Sequence, residues 1–285
     1  MTRLAILADI HGNLPALEAV LADLAQFKVD QVVVAGDVIN WGPFSPQVMQ
    51  RVISEGWAVL RGNNELYLLD YETPRAPSHW RFYTMPPFLH RQLSDRQVAM
   101  LAIWPDSLTL RFRDAPTVRV VHGTPRSHFE PIYPISTDVE IATMLAGVEE
   151  TTFVCGHTHL PLDRQVGRWH VLNPGTVGVP LDGSPEARYM LLDGDERGWR
   201  ATFRQVRYDN SPLFAEFERL HFVEAVGVIG QLVIEEFRTS RLEVHPFIYW
   251  HKDTYPDQPQ TFAQLEQYAS VDKWAYTPPA YHINR

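Results

Sequence analysis

Seven side chains of the kinds that bind divalent metals recur at short intervals in the first part of the chain: Asp9 and His11, then Asp37, Asn63, His122, and finally His157 with His159. Each follows an apolar run and stands beside glycine or asparagine, as in Asp9-Ile-His11-Gly12, Gly36-Asp37, Gly62-Asn63-Asn64, His122-Gly123 and Gly156-His157-Thr158-His159. Neutral imidazole nitrogens and carboxylate oxygens suit divalent first-row metals, and an asparagine carbonyl oxygen suits a hard ion. Seven ligands exceed what one tetrahedral ion uses. Two ions are the economical answer, with a carboxylate from the middle of the set bridging them. Ions about 3.5–4 Å apart clamp the attacking and leaving oxygens of an in-line displacement at phosphorus. They also lower the pKa of a shared water to roughly 7, as zinc does. The nucleophile is then hydroxide, and neither serine nor cysteine is required.

Such ligands need elements to position them. Arg3 to Ala8 reads as a buried strand, followed by apolar residues at helical spacing from Leu14 to Phe27, with Asn13 and Pro15 marking the helix start. Gln31 to Ala35 and Ala58 to Leu60 read as further strands around a helix at Ser45 to Ser54. This alternation predicts a parallel sheet covered by helices, with polar residues gathered beyond the carboxyl ends of the strands. Residues i and i+2 of a strand face the same side, so Asp9 with His11, and His157 with His159, are each expected to aim two ligands at one point. Glu65 to Trp104 turns helical and is placed over one edge of the site. Leu108 to Phe112 and Val118 to Val121 form a hairpin, Val139 to Leu145 a helix and Thr151 to Cys155 a strand. Gln165 to Leu172 and Arg188 to Arg207 are β-like, with turn signals at Gly167-Arg168 and Gly194-Asp195, so a second sheet is expected to pack on the first. From Asp209 the pattern is helical, and Tyr249 to Arg285 is rich in aromatics and proline.

The chain has 285 residues, 45% of them hydrophobic and 21% charged, which is the balance of a soluble globular protein. Lys and Arg total 25 against 34 Asp and Glu, and the resulting charge of −9 disfavours bulk nucleic acid and anionic membranes as partners. The single cysteine, Cys155, excludes an intrachain disulfide and fits a reducing compartment, so a cytoplasmic location is expected. Within an apolar strand it reads as a buried, inert thiol. No stretch approaches the roughly 20 apolar residues of a membrane span.

The ordered blocks Asp9-Ile-His11, Gly36-Asp37-Val-Ile-Asn40, Gly62-Asn63-Asn64-Glu65, His122-Gly123 and Gly156-His157-Thr158-His159 resemble the five sequence blocks of calcineurin-like metallophosphoesterases. Asn173-Pro174-Gly175-Thr176-Val177-Gly178 resembles a segment of the family's YfcE-like bacterial and archaeal branch. The resemblance covers roughly residues 1 to 208. It implies an α/β fold, a four-layer αββα sandwich; the residue pattern adds a helical insertion at about 65–104 and a C-terminal appendage at 209–285. The resemblance further implies that Asp9, His11 and His159 hold one metal and Asn63, His122 and His157 the other, with Asp37 bridging. The ions are two divalent cations drawn from manganese, iron, zinc, nickel and magnesium. The implied function is a metal-dependent phosphodiesterase acting on a small phosphoester or nucleotide-type substrate. The alternatives are a phosphatase on nucleotides, dinucleoside polyphosphates or phosphoproteins, and a metal-bound interaction scaffold without activity.

One position departs from the family. Many members carry histidine after the metal-binding asparagine, where it is thought to protonate the leaving oxygen; Asn64 stands there and cannot titrate. Losing a general acid typically costs about 10²–10⁴ in rate for a poor leaving group, so low-pKa leaving groups are expected to be preferred. The residues expected to act in the chemistry are Asp37, Asn64 and His122. Those expected to touch substrate are Asn64, Arg126, Trp41 and Asn13, the other roles being an ion pair or solvation for Arg126, packing for Trp41 and helix capping for Asn13. His128 is the nearest replacement acid in sequence. The remaining histidines, His79, His90, His170, His221, His245, His251 and His282, lack ligand spacing and read as structural or exposed. The aromatic tail reads as packing or as a surface for self-association.

Overall fold

The apolar runs become strands buried on both faces. In the computed structural model, which describes residues 1–283 apart from the side chain of His79, ten strands form two five-stranded sheets. The first holds β1 (Thr2–Leu7), β2 (Gln31–Val34), β3 (Ala58–Val59), β9 (Ala187–Asp195) and β10 (Gly198–Val206) in the order β10-β9-β1-β2-β3. Here β1, β2 and β3 are parallel, and β9 is antiparallel to β1. The second holds β4 (Ser107–Leu110), β5 (Val118–Val121), β6 (Thr152–Val154), β7 (Leu162–Val166) and β8 (Trp169–Asn173) in the order β4-β5-β6-β8-β7. Its centre, β5, β6 and β8, is parallel, and both edge strands are antiparallel.

Alternation along the strands sorts the core into layers. Leu4, Ile6 and Val33 of the first sheet meet Val118, Val120, Val154 and Leu172 of the second. Ala5, Leu7, Val32 and Val34 turn the other way, under α1 (Leu14–Leu24) and α2 (Ser45–Glu55). The insertion contributes α3 (Asn63–Asp70), α4 (Met85–Gln92) and α5 (Asp95–Ile103). On the far face of the second sheet, Phe153 and Val171 pack under α6 (Asp138–Met144). Helix, sheet, sheet and helix thus stack as four layers, as the resemblance implied. No described helix is long and apolar enough to cross a membrane.

Two local expectations are corrected. The reversal between β9 and β10 occurs at Glu196-Arg197, and Gly194 lies inside β9 opposite Trp199. A Cβ at residue 194 would come within 2.6 Å of the Trp199 ring, so that glycine is there for close approach and not for a turn. The second correction concerns residues from Asp209 on. They form α7 (Ser211–Arg219), α8 (Phe222–Val226), α9 (Val228–Thr239), α10 (Val244–Thr254) and α11 (Phe262–Tyr268), and they are not pendant. Phe217, Phe222, Val233 and Phe247 share one buried cluster with Met85 and Phe88 of α4 and with Val179 and Leu181 after β8.

Phe222 is 1% exposed and touches Phe88 and Phe217 at ring distances of 5.1 and 4.7 Å, so it joins the insertion to the C-terminal helices. Phe222→Ala is expected to lower unfolding free energy by about 3–5 kcal/mol, measured by urea denaturation.

Candidate metal centre

Strand β1 stops at Leu7 and β6 at Val154, so the ligands lie past the strands and not in them. Asp9, His11, Asp37, His157 and His159 all adopt left-handed backbone conformations, with φ between 50° and 70°. Each such residue costs roughly 1–2 kcal/mol relative to right-handed backbone. Asp9 and His11 still converge on one group, as expected, but through turns and not an extended face, and His157 and His159 part. The sharp turns send His159 to Asp9 and His11, while His157 goes to Asp37 and His122.

Hydrogen bonds between the loops hold this backbone in place. Asp9, His11 and Gly12 donate N–H to the carbonyls of Gly36, Asp37 and Val38 at 3.1, 2.9 and 2.9 Å. The Asn173–Gly178 segment docks on the other side: Gly178 N–H and the Thr176 hydroxyl both donate to Asp9 O, at 2.9 and 2.8 Å. A Cβ on residue 178 would sit 1.9 Å from Ile10 O. Glu65 is fully buried and its carboxylate accepts the N–H groups of Gly62, Val38, Asp37 and Ile39 at 2.6, 2.9, 3.0 and 3.2 Å. Burial first, and the charge of Asp37 second, push the Glu65 pKa up to about 7. At position 62 a Cβ would fall 2.0 Å from Asp37 Oδ1.

Two groups of ligand atoms result, Asp9 with His11 and His159, and Asp37 with His122 and His157, each within a 4.8 Å span. His122 Nδ1 donates to Ala35 O at 2.8 Å, which turns its Nε2 toward Asn63 Oδ1 at 2.8 Å and Asp37 Oδ2 at 3.3 Å. His159 Nδ1 donates to Val179 O at 2.7 Å, and its Nε2 meets His11 Nε2 at 3.0 Å and Asp9 Oδ1 at 3.4 Å. Asp37 Oδ2 is also 3.6 Å from His11 Nε2 and so links the groups. These nitrogen and oxygen atoms gather at hydrogen-bond distance around two points, and imidazoles fixed by backbone carbonyls are the usual support of a metal ligand. His11 Nδ1, buried without a partner, and the nitrogen and oxygen donor set fit divalent ions.

The local field divides the imidazoles. Burial lowers His11 to about 4, against the pull of Asp37, and lowers His157 to about 3, so both rings stay neutral. Burial also opposes charge on His122, yet Asp37 raises its pKa to about 9. Although burial resists its ionisation, Asp37 is held well below the usual carboxylate range by His122 and His11.

The expected substrate residues divide. Asn64 Nδ2 donates to Asp37 Oδ2 at 2.6 Å, its N–H donates to Asp37 Oδ1 at 2.9 Å, and its Oδ1 accepts from Asn40 at 2.5 Å. Trp41 lines the cavity and donates Nε1–H to Glu236 at 2.7 Å. Asn13 is fully buried, caps α1 by accepting from Ala16 N–H, and donates to Gly178 O and Tyr208, so it faces away from any substrate. Arg126 is half exposed, is paired with Glu130, and does not line the cavity. His128 lies beside Asp106, outside the cavity lining. Cys155 is buried, and burial raises its pKa to about 12.

A cavity of about 440 Å³ opens from the ligand groups. Tyr67, Trp80, Phe82 and Tyr83 of the insertion form one wall, and Glu236, His245, Tyr249, Lys252 and Tyr281 of the C-terminal region form another. Tyr281 is further tied to the ligand loop, its hydroxyl donating to Thr158 O at 3.0 Å. His245 is exposed, as one of its two expected readings had it, and that reading leaves out the wall it helps to form. The signal for it was the spacing of His245, Ile248, Tyr249 and Lys252 at i, i+3, i+4 and i+7, which places them on one face of α10.

Glu65→Gln puts an amide where two backbone N–H groups need an acceptor. The variant is expected to weaken divalent-ion affinity by roughly 10- to 100-fold, measured by competition with a chelating dye, while circular dichroism shows the fold retained.

Comparison with known proteins agrees with the geometry. The profile of the calcineurin-like phosphoesterase superfamily domain matches residues 2–197. Phosphodiesterase YfcE of Escherichia coli K12 is 29% identical over 195 residues, covering 68% of this chain and 89% of that protein. Protein MJ0912 of Methanocaldococcus jannaschii is 23% identical over 246 residues, covering 79% and 95%. Among solved structures, a metallophosphoesterase from Sphaerobacter thermophilus superposes with a TM-score of 0.64 at 24% identity, covering 84% of this chain and 99% of the other. Protein PH1004 of Pyrococcus horikoshii OT3 superposes with a TM-score of 0.71 at 20% identity, covering 83% and 98%. By the profile match, which spans most of its length, the chain belongs to the calcineurin-like phosphoesterase superfamily.

Proposed function

We propose that this phosphoesterase hydrolyses small phosphodiesters by in-line attack at phosphorus, with the reacting phosphoryl group seated over the two ligand groups that Asp37 links. The observation that carries the reading is the position of Asp37 Oδ2, 3.6 Å from His11 Nε2 and 3.3 Å from His122 Nε2, at the inner end of the cavity. Two divalent cations held by Asp9, His11, Asp37, Asn63, His122, His157 and His159 would supply Lewis acidity toward the phosphoryl oxygens and an ionised water near neutral pH. The chain does the rest. Asn64 orients Asp37 through both carboxylate oxygens, Glu65 fixes the loop behind it, and neutral His11 and His157 keep nitrogen lone pairs available. The aromatic walls displace water, which strengthens every charge interaction inside.

The name of the E. coli relative supports a diester substrate. Enclosure between the insertion and α10 favours a small molecule over a phosphoprotein. Nucleotide anhydrides, dinucleoside polyphosphates among them, form the second reading. It is favoured by Asn64, whose amide is engaged by Asp37 and Asn40 and has no proton to give a poor leaving group. All seven ligands being assembled argues against an idle scaffold.

A screen of phosphodiesters, phosphomonoesters and anhydrides across manganese, iron, zinc, nickel and magnesium tests the reading. Asp37→Ala is expected to reduce hydrolysis to background, and equal turnover by that variant refutes the site. Across leaving groups of graded pKa, kcat/KM is expected to fall steeply as the pKa rises; a flat dependence counts against the role given to Asn64. Asn64→His should raise rates most for the poorest leaving groups, up to the roughly 10²–10⁴ typical of general acid catalysis. A uniform change across the series means that another residue supplies the proton.

A further inference from the structure

The cavity holds more than phosphorus chemistry needs. α10 presents His245, Ile248, Tyr249 and Lys252 to it from a single helix face. The chain has only three lysines, Lys28, Lys252 and Lys273, and no arginine lines the cavity, so Lys252 is the one fixed cation on its walls among the described residues. Lys273 is paired with Glu243 at 2.7 Å, whereas Lys252 is exposed toward the opening. Tyr249 is 44% exposed. Across from it, Tyr67 packs on Trp80 and Phe129 at ring distances of 4.6 and 5.5 Å, which fixes a rigid aromatic surface. Aromatic walls accept either a cationic head group or a planar ring. The ammonium of Lys252 opposes the first and adds an anchor for an anion to the second. His245 stands beside Tyr249 and Lys252 on the same helix face and adds ring nitrogens that can hydrogen-bond.

We propose that α10 is the specificity wall of this site and selects a nucleotide-type phosphoester, its planar base lying against Tyr249 and a second anionic group, remote from the reacting phosphorus, pairing with Lys252. The inference rests on the reading of the site as a small-molecule phosphoesterase and adds the substrate class. Tyr249 and Lys252 act here by binding, with no part in bond breaking.

The test compares adenylyl dinucleotides with and without a 5′-terminal phosphate, using the metal-loaded full chain. The phosphorylated form is expected to show a KM lower by about two- to fivefold, the value of one exposed ion pair. Lys252→Met should erase that preference with kcat little changed, and Tyr249→Ala should raise KM for both dinucleotides. Binding is read separately by tryptophan fluorescence in an Asp37→Asn background, with and without Lys252→Met. Equal KM and Kd for the two dinucleotides, or a preference that survives Lys252→Met, overturns the inference. If wild type cleaves neither dinucleotide while the Asp37→Asn chain binds the phosphorylated one in a Lys252-dependent way, recognition stands and the hydrolytic reading falls. If diesters are cleaved without any such dependence, only the present inference falls.

Discussion

The structure is organised around an unfavourable arrangement: electron-rich nitrogen and oxygen atoms from loops far apart in sequence are held within 4.8 Å of one another. Backbone strain works against it. Five of the residues involved already sit in left-handed conformations, so local preference offers no help. The opposing force comes from the two sheets, whose shared layer of Leu4, Ile6, Val33, Val120 and Val154 fixes the ends of β1, β2, β5 and β6. It also comes from backbone hydrogen bonds that stitch one loop to the next. Cations relieve the remaining repulsion, and the scaffold therefore stores the need for them.

Glu65 shows how far this logic extends behind the ligands. A buried carboxylate next to another is costly, and its raised pKa reports that cost. Four backbone N–H donors offset it, and in return one side chain joins the turn after β2 to the start of α3. Asn64 does similar work on the open side of Asp37. Residues without a ligand role thus set the geometry of the residue that links both groups.

The sequence made the layers and the ligands legible because both leave strong local marks. Apolar runs such as Gln31 to Ala35 end in polar turns, and the motif order matched a family. Gly194 misled because glycine signals a turn and a tight contact with the same letter, and only Trp199 distinguishes them. The i, i+2 argument for His157 and His159 failed because backbone handedness cannot be read from histidine. Arg126 and Asn13 each had a second reading, an ion pair and a helix cap, and Glu130 and the start of α1 claim them in those roles. The C-terminal wall was hidden for another reason. Its partners are the insertion and the ligand loops, long-range contacts that have no local pattern.

That wall makes the protein's two ends interdependent in time as well as in space. A ribosome releases all seven ligand residues, His159 being the last, well before Tyr281 emerges to reach back to Thr158. During synthesis the cation-binding loops therefore exist while the chamber above them is still open to water. The contact of Tyr281 with Thr158 is thus among the late events of synthesis, made after the residues of both sheets exist.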